Sequence, residues 1–133
     1  MKLPVVLHKD PESVYGVTVP DIPGCFSSGA TFGQALDNVK EALALHFEGL
    51  VADGDPLPTA SDIDAHVHNP DFKGGVWAVV EFDVTPYFGR SVRFNATLPE
   101  VLLERIDARV RSDQRYRSRS GFLATAALRE LHE

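Results

Sequence analysis

One stretch constrains this chain more than any other: Ser91-Val92-Arg93-Phe94-Asn95-Ala96-Thr97-Leu98 alternates strictly between apolar and polar residues. In an extended strand, Val92, Phe94, Ala96 and Leu98 face one way and Arg93, Asn95 and Thr97 the other. Pro99 follows and is expected at the first helical position, where its missing N–H costs nothing, with Thr97 or Leu98 as the cap. Leu102, Leu103, Ile106 and Val110 then recur as a helical stripe. A polar turn is expected from Arg111 to Arg117, and Ser118 should cap a second helix carrying Leu123, Ala126, Ala127 and Leu131 on one face. A lone strand leaves an open hydrogen-bonding edge and is not stable by itself. The pattern therefore predicts a homodimer in which two such strands pair antiparallel and bury their apolar faces on four helices.

The outward face of that ribbon would present Arg93, Asn95 and Thr97 from both copies. A two-stranded ribbon fits the major groove of B-DNA, where Arg suits guanine, Asn suits adenine and Thr reaches either a hydrogen-bonding edge or a thymine methyl. The start of the second helix offers free amides to a phosphate, with Arg117, Ser118, Arg119 and Ser120 around it. Charge distribution agrees with this. The net charge is −6, yet residues 1–90 hold 5 Lys+Arg against 13 Asp+Glu, whereas residues 91–133 hold 8 Arg, no Lys and 6 Asp+Glu. An acidic front and an arginine-only tail point to two tasks. A dimerisation module that touches no DNA is the competing reading of the tail.

The front reads β-β-β-α-β. Leu3–His8 and Val14–Val19 are strand-like and flank the turn residues Asp10-Pro11-Glu12-Ser13, which suggests a hairpin. Pro20-Asp21-Ile22-Pro23-Gly24 cannot sit inside a sheet, because its prolines lack ladder donors. Cys25–Ser28 reads as a short third strand ended by Gly29. Thr31-Phe32-Gly33-Gln34 has capping-box spacing and opens a helix with Leu36, Val39, Leu43, Phe47 and Leu50 on one face, running to about Asp53. Gly54 is placed to cap its end. Ser61–Asp64 is read as the start of a short helix, Lys73-Gly74-Gly75 as a turn and Val76–Val84 as the strongest strand. The fold class is thus α+β, with a front domain at residues 1–84, a linker at 85–90 and a tail domain at 91–133. Open edges at Val76–Val84 and near Cys25 would allow dimers to pair further into tetramers.

Enzymatic chemistry finds little footing. Asp10, Asp21, Glu41, Glu48 and Asp83 form no recognisable metal quartet. His66-x-His68, with Asp64 nearby, lacks a third firm ligand. Cys25 has no evident activating base and reads as a buried structural thiol. No phosphate-cradling Gly motif is present. The expectation is a non-enzyme without metal or cofactor. A single cysteine gives no disulfide framework, no apolar run approaches the length of a membrane span, and Met1-Lys2-Leu3-Pro4 reads straight into a strand pattern instead of a signal peptide. A cytoplasmic protein without membrane attachment is expected.

The tail, with its alternation, Leu-Pro junction and Ser-Arg-Ser-Gly-Phe-Leu start to the second helix, resembles the ribbon-helix-helix repressors. The front stretches Ser13–Cys25 (with Pro-Asp-Ile-Pro-Gly at 20–24) and Ser28–Val39, with the helix that follows, resemble the HicB antitoxins, so that the whole chain is similar to a HicB-type antitoxin carrying a ribbon-helix-helix tail. That resemblance implies a partial RNase H-like front fold without nuclease activity. It implies a HicA-type toxin as partner, a small mRNA-cleaving protein with a double-stranded-RNA-binding fold and a catalytic His that the antitoxin covers. It also implies that the tail binds operator DNA and represses its own operon. Asp21, Ile22, Pro23, Cys25 and Phe26 are the front residues nominated for toxin contact, although a tight turn held for the fold explains Pro23 and Gly24 equally. An acidic front suits a basic RNA-binding partner, since complementary charge speeds encounter. Two alternatives stay open: a stand-alone regulator whose front senses a ligand or drives assembly, and an RNase H-like nuclease with a DNA-targeting tail.

Overall fold

A computed structural model describes residues 1–131, so the last two residues of the expected tail domain lie outside the described residues. The described chain divides into two compact units, one spanning Met1–Phe88 and the other beginning at Gly89.

The front unit is built on β1 (Lys2–Lys9), β2 (Tyr15–Thr18), β3 (Phe26–Gly29), the helix α1 (Phe32–Asp53) and β4 (Val76–Glu81). The four strands make one sheet in the order β3-β2-β1-β4, and each neighbouring pair is antiparallel. Strand β1 is central: Val6 stands opposite Thr18 on one side and Trp77 on the other. Its near-continuous apolar run follows from that position, because Leu3, Val5, Val6 and Leu7 are all buried. Leu3, Val5 and Leu7 share a face with Val17 and Val80. Helix α1 lies against this face, where Phe32 meets the Tyr15 ring edge-on at 5.8 Å.

Helix α1 forms where the capping residues predict. The Thr31 hydroxyl oxygen accepts the Gln34 N–H at 3.1 Å, and Gly54 takes the left-handed conformation (φ 71°) that lets its N–H reach the Leu50 and Val51 carbonyls. Ala35, Val39, Leu43 and Phe47 form its buried stripe, while Leu36 and Leu50 are half-buried at its margin. Burying side chains of this size contributes about 1.5–3 kcal/mol each relative to exposure. The close approach of β3 to α1 requires Gly29: a Cβ there would lie 2.4 Å from the Ala35 backbone nitrogen.

The opposite sheet face, with Val6 and Trp77, is covered by the segment after α1. That segment holds two 3-10 turns, Ile63–Ala65 and Pro70–Phe72. Phe72 meets Trp77 edge-on at 5.7 Å and His66 stacks on it at 6.4 Å. Strand β4 stops at Glu81, short of the expected Val84, and a third 3-10 turn, Thr85–Tyr87, follows. The Tyr87 ring packs 5.3 Å from Phe47 and 5.8 Å from Phe82, so the front unit extends past residue 84 to Phe88.

The second unit holds α2 (Glu100–Ser112) and α3 (Arg119–Glu130). Pro99 is the N-cap of α2 with extended ψ, not its first helical residue, and no side chain caps that end. A shift of one residue at a helix end is within ordinary boundary variation. Ser118 caps α3 as expected, accepting the Gly121 N–H at 3.0 Å. Among the described residues of this unit Ile106 and Tyr116 are the buried side chains, and Tyr116 meets Phe122 edge-on at 5.0 Å. Ser91–Leu98 has no strand partner within the described chain, and Val92 and Phe94 are 77% and 72% exposed.

Candidate partner-binding surfaces

The loop joining β2 to β3 runs through two successive tight turns, closed by Ile22 N–H to Val19 carbonyl (3.0 Å) and Cys25 N–H to Ile22 carbonyl (3.1 Å). Turns of three-residue pitch direct every third side chain the same way. Val19, Ile22 and Cys25 therefore point inward and are buried, and burial pushes the Cys25 thiol up from its ordinary pKa. Of the five front residues nominated for toxin contact, Ile22 and Cys25 thus belong to the core. Pro23 and Phe26 are outward-facing, and Phe26 is 64% exposed on the edge strand β3.

Asp21 is engaged within the chain. One carboxylate oxygen accepts the Ser61 N–H at 2.8 Å, and the other accepts the Ser61 hydroxyl at 2.5 Å and lies 2.8 Å from His66 Nε2. Burial alone would raise this carboxyl's pKa, but the Ser61 and His66 hydrogen bonds outweigh it and hold the group below its ordinary 3.8. Serine, histidine and aspartate meet here, yet not in a catalytic order. Asp21 and the Ser61 hydroxyl (2.9 Å) both contact the same imidazole nitrogen, Nε2, so the carboxylate cannot orient the ring from its far side. The cluster is a clasp that ties the β2–β3 loop to the segment covering Trp77. Sequence reading nominated Asp21 as a contact and His66 as a weak metal ligand; their pairing spans 45 residues and leaves no periodic signal.

The remaining enzyme candidates stay apart. Asp10, Glu41 and Glu48 are exposed, as is Asp83, whose carboxylate accepts the Thr85 N–H at 3.0 Å. Among the described residues no three His, Cys, Asp or Glu side chains come together as a metal site. Asp64 and His68 are exposed on the covering segment.

In the second unit Arg93, Asn95 and Thr97 are exposed together along Ser91–Thr97. Arg117, Ser118, Arg119 and Ser120 are exposed at the start of α3, but they differ in state. Arg119 donates through Nε and Nη2 to both oxygens of Asp107 (3.1 and 2.9 Å). The Arg119 hydrogen bond and its charge, with Arg111 adding a little, hold the Asp107 carboxyl below its ordinary pKa, and Asp107 in turn raises that of Arg119. Arg115 is likewise paired with Asp113, whose pKa falls to about 2 through hydrogen bonds from the Arg115 side chain and backbone. Between the helices lies a cleft of about 260 Å³, lined by Ile106, Tyr116 and Phe122 with Arg105, Arg109 and Arg129 at its rim.

A helix laid on a four-stranded antiparallel sheet, followed by a separate helix pair, places the chain in a class of α+β proteins, the antitoxins of bacterial toxin–antitoxin systems. Within that class it belongs to the HicB-like antitoxin family, whose profile matches residues 3–127. The crystal structure of antitoxin HicB from Burkholderia pseudomallei is 43% identical and superposes with a TM-score of 0.74, covering 98% of each chain. A structure of a HicA3–HicB3 toxin–antitoxin complex contains a chain 37% identical, of which 99% is matched by 62% of this one, with a TM-score of 0.56. A 14.9 kDa protein from the rep–hol intergenic region of Haemophilus phage HP1 is 37% identical over 131 residues, 98% of either chain. Among the described residues no helix is long and apolar enough to cross a membrane.

Proposed function

We propose that this chain neutralises a HicA-type mRNA-cleaving toxin through its front unit and represses its own operon through its tail. The single observation that carries the reading is the family match over residues 3–127, which takes in both units. On this reading the front is a partial RNase H-like unit that has kept the β-β-β-α-β order and binds instead of cutting. Its acidic surface suits a basic, RNA-handling partner. The contact surface includes Pro23 and Phe26 at the β3 edge, with the buried Ile22 and Cys25 shaping the loop beneath and the Asp21 clasp fixing it.

The tail works as a ribbon-helix-helix module. Val92 and Phe94 are exposed among the described residues, and pairing with a second copy's ribbon would bury them. Arg93, Asn95 and Thr97 then face the major groove, and Arg117 with the α3 amides takes a phosphate. The protein acts in the cytoplasm as a homodimer, with pairing of dimers into tetramers through open sheet edges.

The test is co-expression. The small reading frame beside this gene is induced alone, with residues 1–133 and with residues 1–88. Growth arrest by the neighbour and rescue by both forms is the expected result. A harmless neighbour, or arrest that neither form relieves, would remove the antitoxin assignment and favour a stand-alone DNA-binding regulator.

A further inference from the structure

Two arginines flank the start of α3, and the structure leaves them in opposite states. Arg117 is exposed and has no side-chain hydrogen bond or ion pair among the described residues. Arg119, the first residue of α3, is held fork to fork by Asp107 of α2 at 3.1 and 2.9 Å. That two-point geometry is the one a guanidinium offers to a phosphate. The pair is open to solvent, with the arginine side chain 53% exposed, so a nucleic-acid phosphate can reach the same fork only by competing with a carboxylate already in place. Around it, the Gly121 N–H goes to the Ser118 hydroxyl and the Phe122 N–H to the Ser118 carbonyl, so the capping geometry is complete without Arg119.

We propose that Asp107 is a positioning residue that withholds Arg119 from DNA and so sets how strongly the tail grips phosphates of any sequence. The inference rests on the DNA-binding reading above. A cation neutralised by an adjacent carboxylate displaces no counterion from the duplex, and the carboxylate itself repels an approaching phosphate. Non-specific grip is thereby kept low, and the base-reading residues of the ribbon supply a larger share of discrimination.

The experiment is the salt dependence of binding by the full chain to its own promoter and to a random duplex. It compares the unchanged protein with Asp107→Asn and with the double variant Asp107→Asn/Arg119→Gln. Asp107→Asn is expected to bind both duplexes more tightly, with the slope of log K against log salt steeper by about 0.9 for each arginine released. Over a fourfold rise in salt that is an additional loss of affinity of about 3.5-fold per arginine. The double variant, which leaves no unpaired charge, is expected to return to the unchanged slope. An unaltered slope in Asp107→Asn, or a flatter than unchanged slope in the double variant, overturns the proposal. If Asp107→Asn does not fold, Asp107→Ala, which removes the same carboxylate with the residue best suited to a helix interior, decides by the same criterion. No binding to either duplex by the unchanged protein defeats the DNA-binding reading and this inference together, a result distinct from an unaltered slope.

Discussion

Replacing Gly29 by alanine tests how the front unit is held together. A Cβ at this position would lie 2.4 Å from the Ala35 nitrogen, 2.7 Å from the Gln34 carbonyl carbon and 2.8 Å from the Ala35 Cα. All three are backbone atoms in the first turn of α1, so no side chain can rotate away. Ordinary contact needs about 1 Å more, and either β3 or the helix start must move by that much. Strand β3 is four residues long and pairs only with β2, so it is the element that yields. Overpacking against fixed atoms costs about 1–3 kcal/mol, and the upper half of that range is expected here. The comparison is Gly49→Ala, an exposed position in the interior of α1 where a Cβ meets nothing within 4 Å. That change should stabilise by about 0.5–1 kcal/mol, because alanine loses less backbone freedom on entering a helix. Urea denaturation followed by the fluorescence of Trp77, the one tryptophan and a member of β4, reports on this unit. Opposite displacements of the two midpoints are expected. A Gly29→Ala midpoint equal to that of the unchanged protein would refute the argument that α1 and β3 are in backbone contact.

Two further outcomes follow from named groups. Because the folded-state pKa of Asp21 lies below its ordinary 3.8, the folded protein binds fewer protons than the unfolded chain in that range. Its contribution to stability is present above about pH 4 and is lost as the pH falls through the folded value; Asp21→Asn should flatten that acid limb in denaturation midpoints, and a limb parallel to the unchanged protein's would contradict the clasp. Arg93→Ala or Asn95→Ala should cost about 1–3 kcal/mol on the true operator and far less on random DNA, measured by equilibrium binding at fixed salt; equal losses on both would argue against base reading.

Most of the front unit is legible in the sequence because its signals are local. A short apolar run marks β1, partial alternation of β-branched residues marks β2, Thr31 and Gly54 mark the ends of α1, and the four-residue recurrence of Val39, Leu43 and Phe47 marks its inner face. The turn chemistry of Pro20–Gly24 is equally plain, but not the direction of its side chains: repeated tight turns carry Ile22 and Cys25 inward. The Asp21–Ser61–His66 clasp is invisible because its partners lie 40 and 45 residues apart, and polar pairing at that range has no period. Strand β4 ends before the expected Val84: Phe82 and Val84 continue its apolar composition, while Pro86 turns the chain into a 3-10 helix. In the tail, both helices and the Ser118 cap follow from pattern, whereas Asp107 and Arg119, 12 residues apart on separate helices, do not. The segment Ser91–Leu98 carries a strand's alternation but forms no strand among the described residues, because alternation marks which faces a strand would have and not whether a pairing edge is present.

The position of Tyr87 bears on how chains of this kind are assembled over evolution. Its ring seals Phe47 and Phe82, and the front unit is finished one residue later. From Gly89 to Thr97 every residue is exposed and none belongs to a helix or strand. Recombination anywhere in that interval grafts a different tail onto the front without disturbing a packed side chain. Breakpoints upstream of Tyr87 would open the core instead. Selection should therefore tolerate exchanged tails while the front unit persists intact, so that the two units of such a chain can change at different rates.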